Sequence, residues 1–398
     1  MIIEPALRTG SVKEYYFSVK NRELAKINAE RSSRGEAPVI NLGIGAPDGM
    51  PPKSAIEALT AAAPKKGFHK YQSYTGIPEL REGFAKWYER YYHVTLNPET
   101  EIRPLVGSKE GILLISMTFL NPGDKVLVPD PGYPTYTSAS LLTGAKMVRY
   151  DLLEEKGWQP DFEALEKMDL SGVKIMWTNY PNMPTGGKAT RALYQRIVDF
   201  GRAHGILIVN DNPYSFILTD EPLSIFGAEG ARECCLELNS LSKAHNMSGW
   251  RIGMVAGDAD LLSEILKVKT QMDSGMFRPL QEAAVAALGE GPEWYRSLNE
   301  EYRRRRVEAG KIFDLLGVKY NADSSGLFLW GKVPEWVSDP SRTPGEVISD
   351  EVLYKAGVFI TPGFIFGKNG EHFIRVSLCA PVETLREAQQ RIKDHICR

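Results

Sequence analysis

The chain has 398 residues, enough to bury a substantial core and to form two domains, and its composition is that of an ordinary globular protein. Its 48 Lys and Arg residues nearly balance its 50 Asp and Glu residues, so no overall charge favours a nucleic acid or a membrane surface as a partner. Neither a run of about eighteen apolar residues nor a signal peptide is found, which predicts a protein that is neither exported nor inserted into a membrane.

The cysteines show no spacing typical of a metal site; they are Cys234, Cys235, Cys379 and Cys397. A disulfide between the adjacent pair would be strained. We therefore expect reduced thiols and a cytoplasmic protein, whose partners are small molecules and copies of the same chain.

The N-terminal segment combines a helical pattern with a glycine-containing loop. Apolar residues at helical spacing over residues 12–33 predict an amphipathic arm helix. A short strand beginning at Ile40 breaks into a loop with Gly45, where the backbone can approach a ligand closely. Two further helices are predicted over residues 54–63 and 78–91.

A turn between a predicted strand at 103–106 and a predicted helix at 112–120 has the features of an anion site. Its sequence is Gly107-Ser108-Lys109-Glu110-Gly111. Small residues at a helix start present unpaired N–H groups and the positive end of the helix dipole. The P-loop spacing is absent, so a nucleoside triphosphate is not the expected ligand.

Strands and helices then alternate, which predicts a mostly parallel sheet with its site at the strand ends. Prolines stiffen a loop holding Tyr133, an aromatic residue that could stack on a flat ring. Asp211 follows a fully apolar strand, where an acid is costly unless it meets a cation or a donor. The strands are predicted at 125–128, 145–150, 173–178, 206–209, 235–238 and 254–256, and the helices at 189–203, 261–272 and 281–288.

The stretch Ser240-Leu241-Ser242-Lys243 follows the strand at 235–238. Loss of solvation would lower the pKa of the Lys243 amine and let it condense with a carbonyl group. Arg251 offers a planar fork for a phosphate, and the two serines add hydroxyl donors. An aldehyde-bearing, phosphorylated cofactor fits this spacing.

After a long helix at 294–316, the pattern changes to that of a smaller α+β domain. The arginine run at 303–306 is expected to be a solvated helix face. Strands are predicted at 326–330, 358–360 and 373–378, a turn at 361–363, and helices at 346–356 and 382–396. The strand at 373–378 alternates in polarity and contains Arg375.

Several motifs that are weak alone occur in one order along the chain: Gly45, residues 71–76, Gly107 to Gly111, Tyr133, Pro184-Thr185-Gly186, Asp211 with Tyr214, Ser240-x-x-Lys243, Arg251 and Arg375. In this order they resemble the class I/II aminotransferases of the fold-type I pyridoxal-phosphate family. The resemblance runs from about residue 40 to residue 377. Within this family, the motifs of the chain look most like those of the bacterial branch that includes LL-diaminopimelate, alanine and aspartate transaminases.

The resemblance implies an α/β fold with a large cofactor-binding domain and a smaller α+β domain. The large domain would be built on a mostly parallel, seven-stranded sheet. We expect residues 1–50 to form an N-terminal arm and part of the small domain. Residues 51–290 would form the large domain and 291–398 the small C-terminal domain.

The resemblance also implies roles for the site residues. Lys243 would hold pyridoxal 5′-phosphate as an aldimine and shuttle the proton in a ping-pong transfer of the α-amino group from an L-amino acid to a 2-oxo acid. Asp211 would pair with the ring nitrogen, Tyr214 would donate to the phenolic oxygen, and Tyr133 would stack on the ring. The phosphate would be held by Ser108 and Lys109, chiefly through their backbone N–H groups, together with Ser240, Ser242 and Arg251.

The same resemblance assigns roles to three further residues, Arg375, Gly45 and Tyr71. Arg375, beside the Gly45 backbone, would bind the substrate α-carboxylate. Tyr71 would reach the phosphate in the neighbouring subunit, which implies a homodimer.

One motif departs from the family pattern. Met183 stands where the family has an asparagine that donates to the phenolic oxygen of the cofactor. We expect this contact to be lost or to be taken over by Asn182.

Two alternative functions were weighed against transamination. The same cofactor would serve a C–S lyase or another β-eliminating enzyme, which would release pyruvate and ammonia without an oxo-acid acceptor. The effector module of a transcription regulator is disfavoured, because the segment before Ile40 is too short for a DNA-binding domain.

Overall fold

The computed structural model describes residues 3–396. The α-helices are α1 (Tyr16–Ser33), α2 (Lys53–Ala62), α3 (Pro78–Tyr92), α4 (Ser108–Phe119), α5 (Pro134–Leu142), α6 (Phe162–Leu165), α7 (Arg191–His204), α8 (Ala231–Cys234), α9 (Ala259–Lys269), α10 (Arg278–Leu288), α11 (Pro292–Leu315), α12 (Pro344–Glu351) and α13 (Val382–His395). The strands are β1 (Ile40–Asn41), β2 (Ile102–Leu105), β3 (Lys125–Asp130), β4 (Lys146–Asp151), β5 (Val173–Thr178), β6 (Leu207–Asp211), β7 (Cys235–Ser240), β8 (Gly253–Gly257), β9 (Lys319–Tyr320), β10 (Phe328–Lys332), β11 (Val358–Phe359), β12 (Thr361–Pro362) and β13 (Phe373–Ser377).

A seven-stranded sheet in the order β2-β8-β7-β6-β5-β3-β4 forms the centre of the protein. All pairs from β4 to β7 are parallel, whereas β8 pairs antiparallel with both of its neighbours. The structure therefore confirms the predicted mostly parallel sheet of seven strands. Among residues 3–396, none of the helices combines the length and the apolar character that crossing a bilayer requires.

The central parallel strands bring polar residues to one edge of this sheet. β5, β6 and β7 end at Thr178, Asp211 and Ser240, and their residues are almost entirely buried. Because the carboxyl ends of parallel strands meet at the same edge, the residues that follow them face a shared crevice. This edge positions the candidate site described below.

A second, four-stranded antiparallel sheet in the order β12-β13-β10-β9 lies in the C-terminal part of the chain. Its apolar core also contains Ile40 and Leu42, from β1 and the residue that follows it. β1 pairs in parallel with β11, so that Ile40 lies opposite Val358. The domain boundaries at residues 50 and 290 stay a prediction.

The structure corrects three predictions of local structure. Helix α5 follows Tyr133 where only a stiff loop was expected, because Pro134 occupies the first helical turn, where a missing N–H is harmless. Thr361–Pro362, predicted as part of a turn, is strand β12 and pairs with β13. β13 is buried along its whole length, so both faces of this strand are covered and the expected alternation of buried and exposed side chains is absent.

Two predictions about exposure also change. The arm helix α1 buries only Leu24 of its 18 residues, so it does not present a wide apolar face. In the arginine run at 303–306, the Arg305 side chain is buried and pairs with both oxygens of Asp48, at 2.6 and 3.2 Å. This ion pair, in place of the expected solvation, connects α11 to the loop after β1.

Candidate active site

A cavity of about 500 Å³ opens where β5, β6 and β7 end. Most of the residues predicted from the sequence line it: Gly45, Ser108, Lys109, Tyr133, Asp211, Tyr214, Ser240, Ser242, Lys243, Arg251 and Arg375. The fold thus brings together residues that are up to 330 positions apart in the chain. Two predicted residues, Asn182 and Tyr71, lie elsewhere.

Asn182 does not line the cavity, because its amide is used within its own turn. Its Nδ2 donates to the Asn179 carbonyl at 3.2 Å, and its Oδ1 accepts from the Thr185 hydroxyl at 2.7 Å. Met183 and Asn179 line the cavity in its place. These contacts do not fit the alternative in which Asn182 takes over the role of the family asparagine. The other alternative, loss of that contact, stays a prediction. The sulfur of Met183 lies 3.3 Å from Nη1 of Arg375.

Tyr71 lies on the surface, with 89% of its area exposed. Together with Phe277 and the residues around it, it lines a separate concave surface away from the cavity. Within one chain, Tyr71 therefore contributes nothing to the cavity described here.

Lys243 extends from the segment after β7 into the cavity, where its Nζ donates to the Gly45 carbonyl. Burial lowers the pKa of this amine, and the positive charges of Arg375 and Arg251 act in the same direction. An amine that loses its proton more readily is a better nucleophile and a better general base. The place of Lys243 in the cavity and the lowered pKa of its amine agree with the sequence-based expectation, and its role toward the cofactor stays a prediction.

The carboxylate of Asp211 is buried at the end of β6. Its Oδ2 accepts from the Tyr136 hydroxyl at 2.9 Å, whereas its Oδ1 has no hydrogen-bond partner among residues 3–396. Burial raises the pKa of Asp211 to about 7. A buried acceptor without a donor is costly, so this oxygen suits an N–H group supplied by a ligand. The nitrogen of a protonated pyridine ring, as in pyridoxal phosphate, has the required chemistry, and the residues present therefore fit this cofactor.

Another part of the cavity, at the start of helix α4, suits a phosphate. Helix α4 starts at Ser108, and its first N–H groups provide donors and a positive dipole end. Arg251, Ser240 and Ser242 line the same cavity. Gly107 has a φ of 79°, and a Cβ there would lie 2.1 Å from Nη2 of Arg251. The positive φ and the close approach of Arg251 both favour glycine at this position.

Arg375 lies on β13, with its guanidinium buried between aromatic rings. Its Cζ is 3.8 Å from the Phe328 ring centroid and 4.8 Å from that of Phe366. Nη2 donates to the Gly43 carbonyl at 2.8 Å, but Nε has no partner, and no carboxylate pairs with Arg375 among residues 3–396. Burial lowers its pKa to about 10, so it stays charged at neutral pH. A buried guanidinium group that can donate two parallel hydrogen bonds suits a carboxylate ligand.

Several cavity residues were missed from the sequence. Asn179 lies directly after β5, and its Nδ2 donates to the Asp211 carbonyl at 2.6 Å; its position at a strand end was a signal that could have found it. Tyr136 was missed because helix α5 was missed. Tyr15 and Phe17, which enter the cavity from the arm, had no signal in the sequence.

Comparisons with known proteins agree with this geometry. The family model described as aminotransferase class I and II matches residues 37–392. An LL-diaminopimelate aminotransferase of Oleidesulfovibrio alaskensis is 39% identical over 388 residues, which are 97% of each chain. One from Aquifex aeolicus is 38% identical over 374 residues, or 94% of this chain and 95% of that protein.

Among solved structures, substrate-bound BacF from Bacillus subtilis is similar over nearly the whole chain. Its TM-score is 0.90 at 35% identity, and the match covers 99% of this chain and 98% of that one. Similarity in sequence and similarity in fold both extend over nearly the whole chain. The chain therefore belongs to the class I and II aminotransferases.

Proposed function

We propose that this aminotransferase moves the α-amino group of an L-amino acid to a 2-oxo acid, with Lys243, Asp211 and Arg375 as its principal site residues. Pyridoxal 5′-phosphate, on which the family depends, accepts the amino group and withdraws electrons into its ring. The observation that carries the proposal is the unpaired Oδ1 of Asp211, in the same cavity as the Lys243 amine and the Arg375 guanidinium.

Each of these residues has a separate task. Arg375 binds the α-carboxylate and so orients the amino acid. Lys243 accepts the proton from the substrate Cα, since burial lowers the pKa of its amine and so makes the amine easier to deprotonate. Asp211 holds the ring nitrogen in its protonated state.

The names of the relatives suggest LL-diaminopimelate as the first amino donor to test. This compound carries a second carboxylate far from its reacting amine. The Nζ of Lys109 lies 4.4 Å from the ring centroid of Tyr15, at the edge of the cavity, and forms no ion pair among residues 3–396. We propose that this ammonium group is available to a second acidic group of the donor.

The direct test is the half-reaction without an acceptor. Absorbance spectra would show whether LL-diaminopimelate, alanine, aspartate or glutamate converts bound pyridoxal phosphate to pyridoxamine phosphate. We expect conversion by at least one donor, and reversal on adding a 2-oxo acid. Release of pyruvate and ammonia without an acceptor would instead establish the eliminating lyase.

Arg375→Lys is expected to raise the KM for the amino donor roughly 10²-fold, because a lysine cannot form two parallel bonds to a carboxylate. The absorbance of the bound cofactor should stay unchanged. Arg303→Lys, on the exposed face of α11, serves as the control and should leave the KM unchanged. Equal KM values for Arg375→Lys and the wild type would remove Arg375 from the substrate site.

We further propose a homodimer in which Tyr71 enters the neighbouring site. Its support is an exposed aromatic surface that includes Tyr71 and Phe277, which are 89% and 43% exposed. If the proposal holds, inactive Lys243→Ala and impaired Tyr71→Ala subunits should restore activity when mixed. Each mixed dimer then contains one site with both native residues. Absence of recovery in dimers shown to have exchanged subunits would refute the shared site.

A cytoplasmic location is also part of the proposal. Cys234, Cys235 and Cys379 are free thiols in the structure, and Cys397 lies outside the described residues. The adjacent sulfur atoms are 3.7 Å apart, too far for a bond. An adjacent pair of unbonded cysteines, Cys234 half-buried and Cys235 buried, fits a reducing compartment.

A further inference from the structure

We propose that Tyr136 is a positioning residue for the reaction: its hydroxyl binds Oδ2 of Asp211 and so reserves Oδ1 for the ring nitrogen of the cofactor. This inference rests on the proposed function, because it assigns a ligand to the unpaired oxygen. Tyr136 itself does not touch the reacting atoms in this assignment. It acts through Asp211.

The tyrosine is held rigidly in place. Its ring is buried and stacks on Trp177, with the centroids 5.1 Å apart and the planes 6° from parallel. Tyr133 also contacts this ring in an edge-on arrangement, with the centroids 5.5 Å apart. These contacts restrict the orientation of the ring, and its hydroxyl oxygen lies 2.9 Å from Oδ2 of Asp211. The carboxylate plane is fixed as a result.

The other charged groups around Asp211 do not replace this donor. Lys243 favours the ionised carboxylate, whereas Glu237, on the neighbouring strand β7, opposes it. Tyr214 faces it from the loop after β6, but donates no hydrogen bond to it. Tyr136 is thus the side-chain donor, within residues 3–396, that stabilises the ionised form of Asp211.

Glu237 is itself held in place by four donors: the hydroxyls of Tyr88 and Ser224, the amide of Asn210 and the backbone N–H of Ile225, at 2.7 to 3.0 Å. Burial raises the pKa of Glu237, whereas these four donors lower it. None of them is changed in the variants compared below, so the influence of Glu237 on Asp211 is the same in each. Removing the hydroxyl of Tyr136 should make ionisation of Asp211 harder. A larger share of Asp211 would then be protonated near neutral pH and unable to receive a pyridinium N–H.

The test measures binding of pyridoxamine phosphate to the full chain after cofactor removal. This probe carries the ring nitrogen and the phosphate but cannot bond covalently to Lys243. For Tyr136→Phe we expect about tenfold weaker binding at about pH 6.5, from the loss of a charge-assisted hydrogen bond. At about pH 9, where Asp211 is ionised in both proteins, the difference should shrink below about threefold.

Tyr150→Phe is the matched control. Tyr150 is also buried, and its hydroxyl donates to the Trp177 carbonyl at 2.7 Å and not to Asp211. We expect its affinity to equal that of the wild type at both pH values. Binding of inorganic phosphate, which tests only the phosphate-binding residues, should be the same for all variants.

Asp211→Asn separates failure of this inference from failure of the proposed function. If Asp211→Asn weakens binding but Tyr136→Phe behaves like Tyr150→Phe, the role of Tyr136 is refuted while that of Asp211 stands. A loss that is equal at both pH values refutes it as well, because it indicates general damage to packing. If Asp211→Asn binds as tightly as the wild type, the assignment of Asp211 itself is wrong.

Discussion

Lys243→Ala should slow amino transfer by roughly 10⁴-fold or more, because one amine serves both as the nucleophile toward the cofactor and as the general base. Its Nζ lies inside the cavity, and no other lysine except Lys109 lines it among residues 3–396. Steady-state transfer with a saturating donor and 2-oxo acid would measure the loss. A variant within tenfold of the wild type would remove Lys243 from the chemistry.

The same variant should lose its covalent bond to the cofactor but keep part of its affinity, since the phosphate-binding residues are untouched. Borohydride reduction followed by mass measurement of the intact protein reports the bond directly. Lys188→Ala is a suitable control, because Lys188 lies on the surface and pairs with Asp323 at 2.5 Å. It should leave both the transfer rate and the covalent adduct unchanged.

Asp211→Asn is expected to reduce transfer about 10³-fold, because a neutral amide does not stabilise a protonated ring nitrogen. In the protein without cofactor, the same change should increase stability at about pH 8. The two effects have one cause: a buried carboxylate that suits the cofactor is unfavourable without it. Asp211 would then be a case in which function is retained at the expense of stability.

The pH dependence has a definite sign. Burial raises the pKa of Asp211 from 3.8 to about 7, so the folded protein holds this proton more tightly than the unfolded chain. The stability contributed by the protonated form is complete below the unfolded pKa and is lost as the pH rises through about 7. This pKa difference corresponds to at most about 4 kcal/mol.

Urea unfolding of the cofactor-free proteins at about pH 5 and about pH 8 would test this sign. The stability of Asp211→Asn relative to the wild type should increase between the two values. Asp323→Asn, at an exposed acid that pairs with Lys188, controls for the general effect of removing a charge. A difference that does not change with pH would contradict the raised pKa.

The sequence revealed those parts of the site whose chemistry is encoded locally. Lys243, Arg251 and the turn from Gly107 could be identified because their types and spacing already suit an aldehyde and a phosphate. Orientation within a turn was not predictable in this way. Both Asn179 and Asn182 occur in one loop, but only the hydrogen bonds of the folded turn decide which of them faces the cavity.

Residues supplied by distant segments were harder to predict. Tyr136 depends on helix α5, and its partner Asp211 lies 75 positions later. Tyr15 and Phe17 enter the cavity from an arm whose own pattern gives no indication of it. The pairing of Arg305 with Asp48 spans 257 positions, so the pattern around residue 303 could only suggest a solvated face.

The pairing of β1 with β11 has a consequence for the order in which the molecule is completed during synthesis. Ile40 lies opposite Val358, so the partner of the first strand is translated 318 residues later. At roughly 5–20 residues per second, β1 waits on the order of 15 to 60 seconds on the ribosome for its partner. All strands of the central sheet have emerged by then. The central sheet can therefore form before β11 is made, whereas the pairing that holds β1, just ahead of the loop with Gly43 and Gly45, has to wait for the C-terminal part.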